Sequence, residues 1–142
     1  HFVGADKCEA EILKFYECKS WGYVSAQKRM ADIYNIADVF VFPTLEDNLP
    51  GMVMESLACA TPVATFDTGG VSDMVIHKEN GYIARHGDSG DLLQGILWII
   101  KNNKDNCLGK NGRAKIEKDF NPELIAQKHI DLYQMLLAGS EK

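Results

Sequence analysis

The sequence predicts an α/β fold, a parallel sheet covered by helices on both faces. Apolar runs of strand length alternate with helix-period segments along the whole chain, the pattern of β-α-β units. One run, Val39-Phe-Val-Phe42, carries no polar alternation, as expected of a strand buried on both sides. At 142 residues, with 46% apolar and 25% charged residues, the chain has the size and composition of one ordinary globular domain.

The elements follow in order. Phe2-Val-Gly4 reads as a short strand and Glu9 to Tyr16 as a helix. Trp21-Gly-Tyr-Val24 reads as a strand, and Ala26 to Asn35 as a helix with Ser25 as N-cap. After the Val39–Phe42 strand comes an acidic loop, then a helix from Gly51 to Cys59. Val63 to Phe66 is a strand, Ser72 to Ile76 a helical turn, and Gly81-Tyr-Ile-Ala84 a strand. Asp88 to Asn102 is a helix with Leu92, Leu93, Ile96, Leu97 and Ile100 expected on its buried face. Two further helices are expected at Asp105 to Glu117 and Pro122 to Leu137, the last with Ile125, Leu132, Tyr133 and Leu136 on one stripe. The tail Ala138–Lys142 is expected to fray.

Composition excludes several classes. A net charge of −5 argues against a nucleic-acid footprint. No apolar run approaches the ~20 residues of a membrane span. Six of the fifteen basic residues fall between Lys101 and Lys118, read as a solvated helix face, with a membrane-surface contact as the alternative. Cys8, Cys18, Cys59 and Cys107 form no C-x-x-C pair and read as reduced cytosolic thiols; nothing in the spacing supports a Cys8–Cys18 disulfide. No metal site is expected. His1, His77, His86 and His129 are scattered and read as structural or exposed. The chain opens on His1 rather than Met, which suggests a piece of a longer protein.

Ligands of such sheets bind at the carboxyl ends of the strands. The loops there are Gly4 to Asp6, Ser25, Thr44 to Leu49, and Asp67 to Gly70. Glu55 sits in an apolar, small-residue helix, where a carboxylate is costly unless paired. It reads either as a surface glutamate or as a ligand for vicinal hydroxyls, such as those of a ribose. Asp47 and Asn48 precede that helix and read as caps, or as flanks of a phosphate site at the helix N terminus. Gly69-Gly70 reads as a tight turn or as a close backbone approach to a ligand. The G-x-G-x-x-G, P-loop and G-x-S-x-G motifs are absent.

The blocks Tyr23-Val-Ser25, Tyr34–Asp38, Val39–Pro43, Glu46–Val63, Phe66–Asp73 and Glu79–Ala84 together resemble the C-terminal domain of GT-B glycosyltransferases. The match is best to the retaining family 4, with many bacterial polysaccharide and lipopolysaccharide enzymes, and covers about residues 1 to 137. The resemblance implies a Rossmann-like domain for a nucleotide-diphosphate sugar, without a metal cofactor. Two acidic residues separated by seven others contact the donor in that family. Here they are Asp47, in place of the usual Glu, and Glu55. It implies that Glu55 binds the ribose hydroxyls and Asp47 the transferred sugar, both in the catalytic site. Main-chain N–H groups of Asn48, Leu49 and Gly51 would flank the diphosphate, and main-chain groups of Tyr23 and Val24 would hold the base. Ala60 stands where the family commonly has Gly, which implies a strained helix end. A first strand with its basic loop, and an N-terminal domain holding the acceptor sugar or lipid-linked glycan, are expected upstream, so this piece alone is expected to be inactive. The implied setting is cytoplasmic, with a peripheral contact at the inner membrane face as an option. Two other readings of the residues stay open: a non-catalytic nucleotide-binding or interaction module, and a GT-B hydrolase or epimerase.

Overall fold

The structure is a computed structural model that describes residues 19–139. The Phe2–Gly4 strand, the Glu9–Tyr16 helix, the Gly4–Asp6 loop, Cys8 and Cys18 lie outside the described residues. The chain divides into two compact units, His1–Ile36 and Ala37–Lys142.

The first unit contributes helix α1, Gln27–Asn35. The expected strand over Trp21–Val24 is not one, since those residues form no ladder. Gly22 instead turns at φ 60°, and the Trp21 ring carries Lys19, 3.8 Å from its centroid, and Arg29, at 5.7 Å. Nor does Ser25 cap α1. Ala26 occupies the N-cap, with no side-chain bond.

The second unit is built on a three-stranded parallel sheet, β1 (Phe40–Phe42), β2 (Val63–Phe66) and β3 (Gly81–Ala84), in that order. Phe40 pairs with Val63, and Val63 with Gly81. Between the strands run α2 (Gly51–Ala58) and α3 (Val71–Met74). After β3 come α4 (Ser89–Asn102), a 3₁₀ turn at Lys104–Asn106, α5 (Cys107–Asp119) and α6 (Pro122–Gly139). Helix α6 thus takes in Ala138 and Gly139 of the expected tail.

Side chains alternate across the sheet and fill two cores. On one face Val53, Leu57, Val63, Val71, Met74, Val75 and Ile116 are buried, flanked by Phe40, Phe42 and Ile83. On the other, Ala64, Phe66 and Ala84 meet Leu92 and Ile99 of α4 and Leu108 of α5. Both faces are therefore covered, as expected. The doubly buried strand, however, is β2, with all four residues buried. Among the described residues β1 pairs only with β2, and it is only partly buried, with Val41 37% exposed. The reason is that α4 packs over β2 and β3.

The α4 face is rotated from the expected one. Leu92, Gly95 and Ile99 are buried, Ile96 is half-buried, and Leu93, Leu97 and Ile100 face outward. Both sets have helical spacing. Space decides between them, because a Cβ on Gly95 would lie 2.3 Å from Cδ1 of Tyr82, so the Gly95 side alone fits against that ring. Asp88 caps this helix by accepting from the Asp91 N–H at 2.9 Å. On α6, of the expected stripe only Ile125 is even half-buried, while Leu132, Tyr133 and Leu136 are exposed.

The α2 C terminus forms a Schellman turn. The Thr61 N–H donates to the Ser56 carbonyl at 3.0 Å and the Ala60 N–H to that of Leu57 at 2.9 Å. Ala60 sits there at φ 57°, as the resemblance implied. A left-handed alanine costs about 1–2 kcal/mol, against about 0.4–1 kcal/mol of unfolded-state entropy gained by a glycine. Ala60→Gly is therefore expected to raise stability by about 1 kcal/mol in urea unfolding. A variant less stable than the parent would show that Ala60 is not strained.

Candidate functional site

Three loops meet at the carboxyl edge of the sheet: 43–50 after β1, 67–70 after β2, and 85–88 after β3. The Asp67 N–H donates to the Ala84 carbonyl at 3.0 Å, extending the β2–β3 ladder into them. Thr68 Oγ1 donates to the Thr44 carbonyl at 3.4 Å and lies 3.3 Å from Nδ1 of His86. Thr44 Oγ1 in turn donates to the Glu46 carbonyl at 3.0 Å. One threonine thus links all three loops. Thr44 and His86 lie 24 and 18 positions from Thr68. No local motif marks them, and only the parallel register brings them together.

Gly69-Gly70 makes a close approach, but to the protein's own chain. The Gly70 N–H donates to the Asn48 carbonyl at 2.6 Å. A Cβ on Gly69 would stand 1.8 Å from the Asp47 carbonyl oxygen, and one on Gly70 2.6 Å from that of Asn48. The glycines therefore clamp the Asp47–Asn48 main chain from behind.

That clamp also corrects the capping expectation. Neither Asp47 nor Asn48 caps α2. Pro50 takes the N-cap position and no side chain bonds there. The first N–H groups of a helix have no intrahelical partner, so the α2 N terminus carries a partial positive charge that no side chain among the described residues caps. Around it Asp47 is half-buried, while Asn48, Leu49, Gly51 and Met52 are exposed. Glu55 is exposed one turn further on, away from Val53 and Leu57. Asp47, Asn48, Leu49, Gly51 and Glu55 thus share one loop–helix segment. Tyr23 and Val24 belong to the other unit, in non-strand chain ahead of α1, with Tyr23 87% exposed.

The electrostatics are one-sided. Between Arg29 and Lys78 the sequence holds no lysine or arginine, but seven acids: Asp32, Asp38, Glu46, Asp47, Glu55, Asp67 and Asp73. At the third loop Arg85 is engaged by Asp88 at 2.9 Å and Asp91 at 3.2 Å. The Arg85 main-chain N–H, the Tyr82 hydroxyl and the Arg85 side chain hold the Asp91 carboxyl below its ordinary range. This network braces the β3–α4 corner. Burial, and then the charge of Glu55, push the Cys59 thiol up, against thiolate character. Cys59 and Cys107 are both free. Among the described residues no group of three or more His, Cys, Asp or Glu comes together as a metal cage.

The sequence matches the family described as Glycosyl transferases group 1 over residues 7–115. The chain belongs to the group 1 glycosyl transferases. Among its relatives, the capsular polysaccharide biosynthesis glycosyltransferase CapM of Staphylococcus aureus is 31% identical over 109 residues, 76% of this chain and 29% of that protein. The N,N'-diacetylbacillosaminyl-diphospho-undecaprenol alpha-1,3-N-acetylgalactosaminyltransferase of Campylobacter jejuni is 24% identical over 88% of this chain and 33% of its own. Among solved structures, sucrose-phosphate synthase from Thermosynechococcus elongatus superposes with a TM-score of 0.77 at 31% identity, covering 85% of this chain and 30% of that one. Anabaena Alr3699/HepE, solved in complex with UDP, gives a TM-score of 0.75 at 19% identity over 82% of this chain and 32% of its own, and shares the fold. The group 1 domain described here is thus of the Rossmann-like kind found in GT-B glycosyltransferases. It spans about a third of the length of the relatives it matches. No helix among the described residues is long and apolar enough to cross a membrane.

Proposed function

We propose that this domain is the donor-binding half of a retaining, family 4 type glycosyltransferase. It holds a nucleotide-diphosphate sugar in the cytoplasm while the sugar passes to an acceptor hydroxyl with its anomeric configuration kept. The observation that carries the reading is the α2 N terminus, left without a side-chain cap and held in place by the Gly69-Gly70 clamp. An uncapped helix end with rigid main chain around it suits a diphosphate. The UDP bound in the HepE structure supports a nucleotide ligand on this fold. The names of the capsular and lipid-linked relatives support a role in polysaccharide assembly on a sugar or lipid-linked glycan.

In this reading Glu55 accepts hydrogen bonds from the ribose hydroxyls and Asp47 from the transferred sugar. Main-chain N–H groups of Asn48, Leu49 and Gly51 flank the diphosphate. Main-chain groups of Tyr23 and Val24 hold the base. As the glycosidic bond breaks, negative charge grows on the leaving diphosphate, and preorganised N–H dipoles stabilise it without a metal ion. Six acids from Asp38 to Asp73 oppose that charge, so the compensating cations come from outside the Ala37–Ile76 stretch.

The test is calorimetric titration of UDP, GDP and ADP into the chain and into Glu55→Ala. One nucleotide is expected to bind, and Glu55→Ala to weaken it about tenfold, or about 1.4 kcal/mol. Unchanged affinity in a folded Glu55→Ala would remove the ribose role and favour a module that binds nucleotide by other means. Release of free sugar without acceptor by the intact protein would mark a hydrolase instead.

A further inference from the structure

We propose that Thr68 and His86 are positioning residues for the loop 43–50 that presents the nucleotide site, a role that rests on the donor-binding reading. The protons can be placed from the partners alone. The Thr44 carbonyl can only accept, so the single Thr68 hydroxyl proton goes to it, across 3.4 Å. The hydroxyl oxygen then accepts from His86, 3.3 Å away, and Nδ1 must carry a proton. The hydrogen bonds therefore run one way, from His86 through Thr68 to the main chain of the loop. Beside them the Gly70 N–H takes the Asn48 carbonyl at 2.6 Å. In a planar trans peptide the N–H of the next residue points opposite to the carbonyl. Carbonyls of Thr44 and Asn48 held toward the 67–70 loop turn the N–H groups of Leu45 and Leu49 to the other side. The Leu49 N–H is one of those that flank the diphosphate in the proposed site.

A strap positions nothing unless its far end is fixed. His86 follows Arg85, whose main-chain N–H donates to Asp91 at 2.9 Å and whose guanidinium is engaged by Asp88 and Asp91. The Tyr82 hydroxyl donates to the same Asp91 carboxylate at 2.9 Å. The imidazole lies beside the buried Phe66 ring of β2, with centroids 6.3 Å apart. His86 thus ties the loop 43–50 to the braced β3–α4 corner. The imidazole is exposed and Thr68 half-buried. Hydrogen bonds in such a setting add little net stability, because water replaces them when they break. Their effect is on where the loop sits.

The test pairs titration of UDP, GDP and ADP into the full chain with amide exchange at Gly70, whose N–H holds the Asn48 carbonyl and reports without any ligand. His86→Ala and Thr68→Val are each expected to speed that exchange several-fold and to weaken nucleotide binding about three- to tenfold, the worth of one hydrogen bond. The double variant should be no worse than either alone, since the two side chains act in series. Thr68→Ser keeps the hydroxyl and His86→Asn keeps an N–H near the place of Nδ1, so both should recover most of the affinity. Asn111→Ala, which removes a bond from α5 to the Glu79 carbonyl, should change neither readout. Wild-type exchange at Gly70 in both His86→Ala and Thr68→Val overturns the proposal. So does faster exchange with unchanged affinity, a loss that Thr68→Ser and His86→Asn fail to recover, or an equal loss in Asn111→Ala, which would mark a general effect of lowered stability. A wild type that binds none of the three nucleotides removes the donor-binding reading instead. Gly70 exchange, and its recovery in the two conservative variants, then decides the strap alone.

Discussion

Gly69→Ala is expected to cost about 2–4 kcal/mol of stability and to weaken nucleotide binding more than Glu55→Ala does. Two causes add. Gly69 has φ 48°, which an alanine adopts only at a penalty of about 1–2 kcal/mol. Its Cβ would also stand 1.8 Å from the Asp47 carbonyl oxygen, a backbone atom that no side-chain rotation can remove. The loops must part, and the Gly70–Asn48 hydrogen bond goes with them. Gly87 separates the two causes. It has φ 72°, and a Cβ added there would meet nothing within 4 Å, so Gly87→Ala should cost only the conformational penalty. Urea unfolding and nucleotide titration of both variants check the claim. Equal losses in the two would mean that the clamp contributes nothing.

Asn80→Ala is expected to cost about 3 kcal/mol. Asn80 is 1% exposed. Its Oδ1 accepts from the Ile76 N–H at 2.7 Å and its Nδ2 donates to the Met74 carbonyl at 3.0 Å. One side chain thus closes the turn that leads from α3 into β3. Alanine would leave the buried Met74 carbonyl and the part-buried Ile76 N–H without those partners, and a buried group left unsatisfied costs more than the net worth of the bond it loses. Asn80→Asp keeps the acceptor but sets a carboxylate oxygen against the Met74 carbonyl, so it should be no better. Asn111→Ala, which removes a bond to the Glu79 carbonyl at an exposed site, is the comparison and should cost about 1 kcal/mol or less. Thermal or urea melts that rank Asn80→Ala with Asn111→Ala would contradict the account.

The bounds of β2 and β3 were legible because short apolar runs end at Asp67 and begin at Gly81, where the chain chemistry changes abruptly. The α2 segment was legible because its loop is acidic and its helix apolar. Face assignment was harder. On α4 two stripes have the same periodicity, and the choice between them rests on the fit of Gly95 against Tyr82, a contact with another element. β1 is as apolar as a central strand, yet its burial depends on which helix covers it. Trp21–Val24 has strand composition, but a left-handed Gly22 and two cations on the Trp21 ring give it other partners. In the site, the acidic spacing and the glycine pair stood out in one dimension. Thr68 and His86 did not, because their meaning comes from neighbours brought in by the register.

The α2 segment is fastened at both ends. Gly69-Gly70 hold it at Asp47 and Asn48. At the other end Asn106 Nδ2 donates to the Ala60 carbonyl at 3.1 Å, and Gly109 lets α5 press against that same oxygen. Between these fixings the exposed or half-exposed side chains at 47, 49, 52 and 55 project from a backbone with little room to adjust. For an engineer this is a combinatorial template. A library randomised at Asp47, Leu49, Met52 and Glu55 would sample new recognition chemistries on a constant frame, and selected variants could be compared without rebuilding the backbone for each one.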